Sequence, residues 1–136
     1  MISITDKPID VQKVIEAANS LEAGAVNAFI GTVRDNAKKK RVVRLEYEAY
    51  NAMAIAEIQK VVDEACAKWS LMGWSIAHRV GILEPGEVAV VVAISTAHRK
   101  ESFEACQFII DNVKAKAPIW KKEVFEDGEE WVAAHP

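Results

Sequence analysis

The spacing of hydrophobic positions changes several times along the chain, and each change predicts an element. Residues 2–5 form a short strand. After Pro8-Ile9-Asp10, Val11, Val14, Ile15 and Ala18 fall on one side of a helix that Asn19 and Gly24 bracket. Residues 25–33 (AVNAFIGTV) read as a strand in which Gly31 marks a bulge or a close approach. In 42–50 (VVRLEYEAY), Val43, Leu45, Tyr47 and Ala49 alternate with Arg44, Glu46 and Glu48, which predicts one packed and one wetter face. Residues 51–69 predict a helix capped by Asn51, with Met53, Ile58, Val61, Val62, Ala65, Cys66 and Trp69 as its apolar stripe.

Residues 74–83 and 87–96 predict two strands joined by the turn Glu84-Pro85-Gly86 and paired antiparallel. The second is apolar on both faces, as a central strand should be. A third helix runs from about Lys100 to Lys116 and buries Phe103, Cys106, Ile110 and Val113 until Pro118 stops it. The remaining residues predict a hairpin turning at Asp127-Gly128, with Val124 opposite Trp131. The order β-α-β-β-α-β-β-α-β-β, without repeat or linker, predicts one α+β domain over residues 1–136.

Composition narrows the function classes. The chain is 51% apolar and 27% charged, with a formal net charge of -3, which suits a globular domain and argues against a general nucleic-acid binder. The longest apolar run, 88–94, is too short to cross a bilayer, and the N-terminus lacks signal-peptide character. Cys66 and Cys106 both fall on helical apolar stripes and read as buried free thiols of a reducing, cytoplasmic compartment, although a disulfide between them stays open.

Candidate chemistry concentrates in cations. Lys114 ends the third helix, and Lys121 follows Pro118-Ile119-Trp120 (KAKAPIWKKE, 114–123). Both are compatible with ordinary solvent lysines. Gathered beside an apolar wall, they would instead handle an anion or acyl group, because desolvation and a neighbouring cation lower an amine's pKa. His98, Arg99 and Lys100 stand at a helix N-terminus, where backbone amides favour an anion, with Glu101 and Glu104 as the competing compensation. Arg34 closes a strand and opens the basic loop 34–41. His78 reads as a packed, hydrogen-bonded histidine. His78, His98 and His135 lack the spacing of a zinc site, and no phosphate-loop, dinucleotide or nucleophile-elbow pattern occurs.

The runs AFIGTVR (28–34), LEYEAY (45–50), HRVG (78–81), STAHR (95–99), FEACQFIID (103–111) and KAKAPIWKKE, followed by WVAA, resemble the large, catalytic subunit of molybdopterin synthase. The resemblance spans nearly the whole chain in order. It implies an α/β hammerhead-like fold with an additional antiparallel β subdomain. It also implies an enzyme that takes sulfur from the C-terminal Gly-Gly thiocarboxylate of a small ubiquitin-like carrier and passes it to cyclic pyranopterin monophosphate. Two transfers make the dithiolene of molybdopterin. The implied assembly is a homodimer within an α2β2 heterotetramer, with no metal or tightly held organic cofactor. Carried over residue by residue, Lys114 and Lys121 are catalytic, Arg34, His98 and Arg99 bind substrate, and His135 stands where the family often has a basic residue. Phe103, Pro118 and Ile119 are candidates for the wall of the carrier-tail slot. The competing readings are a non-catalytic module that captures a phosphate or carboxylate tail, and a nucleic-acid binder.

Overall fold

The computed structural model describes residues 1–133. Its elements are β1 (Ile2–Thr5), α1 (Val11–Ala18), β2 (Ala25–Thr32), β3 (Asn36–Ala37), β4 (Lys40–Ala49), α2 (Asn51–Lys68), β5 (Gly73–Arg79), β6 (Gly81–Leu83), β7 (Val88–Thr96), α3 (Arg99–Lys116), β8 (Ile119–Phe125) and β9 (Gly128–Ala133). The α+β class read from the sequence holds.

Two sheets share the molecule. The first runs β1-β5-β7-β2, with β1 parallel to β5 and the other pairs antiparallel. The second runs β3-β4-β8-β9, with β6 added to β4, and all its pairs are antiparallel. Strand β7 is central and buried, as its apolar run requires. Val90, Val92 and Ile94 pack with Ile58, Val61 and Val62 of α2 and with Ile109 and Val113 of α3. The alternate residues face the other way, and there the Ser95 hydroxyl donates to the Ala18 carbonyl (2.6 Å) at the end of α1. Helix α1 starts where the Asp10 carboxylate accepts from the Lys13 amide. A second core gathers Val33, Val42, Leu45, Tyr47, Leu83, Ile119 and Phe125.

Several local expectations fail for identifiable reasons. The run 74–83 is two strands, because Gly81 (φ +94°) lets the chain leave the first sheet and pair with β4 in the second. Val43 is exposed because the β4–β8 register slips between Val42 and Arg44, which sends Val42 inward instead. The final hairpin closes with Phe125 opposite Gly128, so the turn is Glu126-Asp127. Val124 therefore faces Glu129, and Trp131 faces Lys122. Tyr50, not Asn51, occupies the cap position of α2, and its amide donates to the Pro118 carbonyl (3.2 Å). Met53 and Phe103 are exposed rather than core. Both cysteines are free, with Cys66 exposed and only Cys106 buried.

Candidate active site

The first and second sheets meet at a cavity of about 300 Å³. Each side chain reaches it for a local reason. Val33 turns into the second core while its amide donates to the Glu87 carbonyl (2.9 Å), and the next residue, Arg34, is left to face the cavity. Lys114 lies in the last turn of α3, where the helix field favours a cation, and its amine stands 5.8 Å from the centre of the Phe29 ring. Pro118 then prevents the helix from continuing, and β8 sets out along β4 with Lys121 opposite Tyr47 and Glu123 opposite Leu45. Alternation puts Ile119, Lys121 and Glu123 on one face of β8. Ile119 fills the core, and Lys121 and Glu123 line the cavity.

Lys121 is held below the ordinary lysine pKa. Burial is the main cause, and the charges of Arg34 and Lys114 add to it, while the Glu123 carboxylate opposes them. An amine so placed gives and takes protons more readily than a solvent lysine. Tyr47 is 7% exposed and its phenol is pushed up to about 12, first by burial and then by Glu123. Behind it His78 meets the Tyr47 ring edge-on with centroids 5.3 Å apart, and its Nδ1 donates to the Arg79 carbonyl (2.8 Å). Burial lowers the His78 pKa to about 4, so the packed, hydrogen-bonded reading of this residue holds.

The rim of the cavity includes Asn36 and Ala37, which belong to a hairpin with β4. Its two turn residues, Lys38 and Lys39, both adopt positive φ (53° and 63°). Three ion pairs fasten this hairpin to the β8–β9 hairpin: Lys38 with Glu130, Lys40 with Asp127 (3.3 Å) and Arg41 with Glu126 (3.6 Å).

Thus Arg34, Lys114 and Lys121 converge, as their assignment to one site requires. His98 and Arg99 do not join them within the chain. They border a separate depression with Gly24, Ala97 and Lys100 at the other end of β2. That eight-residue strand sets the two places about 23 Å apart. Phe103 lines a neighbouring groove with Asn27, Phe29, Cys106 and Ile110, and Phe29 also borders the lysine cavity. Ile119 is 2% exposed in the second core, and neither it nor Pro118, at the α3–β8 junction, lines the lysine cavity or the Phe103 groove. His135 lies outside the described residues. Phe29, Tyr47 and Glu123 line the cavity in addition to the cations that the sequence points to. Tyr47 lies on the packed face that alternation predicts for 42–50, the β4–β8 register sets Lys121 opposite it with Glu123 two residues on, and Phe29 comes from β2 of the other sheet.

Among the described residues no cluster of three or more His, Cys, Asp or Glu side chains could hold a metal ion, and no helix is long and apolar enough to cross a membrane.

A family model described as MoaE protein matches residues 4–116. The chain belongs to the MoaE family. The molybdopterin synthase catalytic subunit of Bacillus subtilis (strain 168) is 46% identical over 129 residues, covering 95% of this chain and 82% of the relative. The human molybdopterin synthase catalytic subunit is 39% identical over 131 residues, covering 96% of this chain and 70% of the relative. The X-ray structure of molybdopterin synthase from Staphylococcus aureus superposes with a TM-score of 0.91 at 39% identity, covering 95% of this chain and 94% of that one. This MoaE-family chain thus has the family's fold over nearly its full length, with the lysine cavity at the seam of its two sheets.

Proposed function

We propose that this chain is the catalytic subunit of a molybdopterin synthase, acting as one unit over residues 1–136 in the cytoplasm. It moves sulfur from the C-terminal thiocarboxylate of a small ubiquitin-like carrier to cyclic pyranopterin monophosphate. Each thiocarboxylate gives up one sulfur and ends as a carboxylate, so two loaded carriers are consumed per dithiolene. The observation that carries this reading is the convergence of Lys114, Lys121 and Arg34 on one cavity with an aromatic wall.

In that cavity, Arg34 and Lys114 hold the negative charge of the reacting anions, while Lys121, with its lowered pKa, moves protons. The groove beside Phe103 meets the cavity at Phe29, which supports an approach for a narrow Gly-Gly chain end. His98 and Arg99 are too far from the lysines of their own chain to share one small substrate with them. In a homodimer within an α2β2 assembly, a second copy can present its own His98 and Arg99 to the substrate phosphate.

The test is conversion of cyclic pyranopterin monophosphate by the purified chain with thiocarboxylated carrier, following singly and doubly sulfurated products by mass. Lys114→Ala should bind carrier with nearly unchanged affinity and lose about 100-fold or more of turnover. Full turnover by that variant sinks the catalytic assignment. A wild-type chain that binds carrier or precursor and releases no product would instead be the non-catalytic capture module.

A further inference from the structure

Tyr47 has no part in the reading above, yet it lines the same cavity as Lys114 and Lys121. It sits directly opposite Lys121 in the β4–β8 ladder, which brings their Cβ atoms within about 5.5 Å of each other. The residue is 7% exposed, and buried tyrosine hydroxyls ordinarily find a hydrogen-bond partner. The Tyr47 hydroxyl is not among the buried polar atoms left without a partner, and the residue borders the cavity, so an anion bound there can serve as its acceptor. Its ring is fixed from behind by the edge-on contact with His78. Burial, and then Glu123 on the same cavity wall, disfavour ionisation, so across the neutral range the phenol remains an O–H that can donate.

We propose that Tyr47 is a hydrogen-bond donor to the anionic oxygen or sulfur of the thiocarboxylate group handled between Lys114 and Lys121. The proposal rests on the sulfur-transfer reading and deepens it. The two amines supply charge that varies with protonation, whereas Tyr47 supplies a neutral donor on the same cavity wall as Lys121. Such a donor acts on the chemical step more than on binding.

Tyr47→Phe keeps the ring and removes only the hydroxyl. In the conversion assay its kcat should fall about 10- to 100-fold. Its KM for the precursor and its carrier affinity should stay within about twofold. Wild-type kcat in Tyr47→Phe overturns the proposal, as does a loss confined to KM. A second probe covers a variant that folds poorly. The chain has two tyrosines, so fluorotyrosine incorporated into a Tyr50→Phe background labels position 47 alone. The fluorinated phenol ionises at lower pH, and turnover should then fall at alkaline pH earlier than in the unlabelled protein.

The charged and titratable groups facing Tyr47 are Lys121 and Glu123 on β8, Lys114 on α3, Arg34 after β2, and His78 on β5. None of them is changed by the label, so an unshifted alkaline limb overturns the donor role. An inactive wild-type chain, in contrast, overturns the sulfur-transfer reading itself and the donor role with it.

Discussion

Protonation of His78 should destabilise this protein in mild acid by an amount the structure sets. The imidazole is 1% exposed, and burial lowers its pKa from the ordinary 6.5 to about 4. Well above pH 6.5 the ring is neutral in both the folded and the unfolded chain, so the pH dependence of folding has no part from it there. Between pH 6.5 and 4 the unfolded chain takes up a proton that the folded chain refuses, and stability falls with pH. Near pH 4 the accumulated loss is about 3 kcal/mol, a large share of a typical domain's stability. Carboxylates also contribute to acid lability. Glu46 is held below the usual carboxylate range by its hydrogen bond from Arg44, and Glu87 by the Glu84 amide and then by Arg79.

The His78 contribution is isolated by comparison with His78→Phe, which keeps an aromatic ring beside Tyr47 and cannot titrate. Urea unfolding at a series of pH values from 7 to 4 gives the stability of each protein. The wild type should lose about 3 kcal/mol more than the variant across that range. Parallel curves would refute the reasoning, because they would mean the folded protein accepts the proton on His78 without cost.

Two further outcomes follow from the backbone. An added Cβ at Gly73 would lie 2.2 Å from the Ala18 carbonyl oxygen, which already accepts from Ser95, so Gly73→Ala should cost about 2 kcal/mol and lower Tm by about 7 °C in a thermal melt. Lys39 adopts a left-handed conformation at φ 63° and Lys38 makes the ion pair on that turn, so Lys39→Gly should raise stability by about 0.5 kcal/mol in equilibrium unfolding, and a destabilised variant would contradict the strain assigned to it.

What the sequence made legible is what short-range periodicity encodes. The all-apolar run of β7 had to be central, Pro118 had to end α3, and Lys114 and Lys121 had to flank that stop. The misreadings lie where a long-range pairing decides. Nothing in WSIAHRVGIL distinguishes one long strand from two until β4 offers β6 a partner beyond Gly81. Val43 alternates correctly with Leu45, and only the slipped register against β8 turns it outward. Phe103 falls on the apolar side of α3 yet stays at the surface, because the sheet beneath that helix ends at β2. The cationic site shows the same division. Its residue types were visible, and so was the length of α3 that parts Arg99 from Lys114, whereas the pairing that brings Arg34 and Lys121 to Lys114 was not.

The run from Gly73 to Leu83 is stitched into both sheets, crossing from one to the other at Gly81. Such a seam ties the sheets together as a staple would, so neither slides past the other without breaking ladder bonds at one end of the run. Phe29 and Tyr47, on opposite sides of the join, therefore keep a spacing governed by whole-sheet geometry. A substitution that slackens Gly81 would loosen the vise around both amines while touching neither.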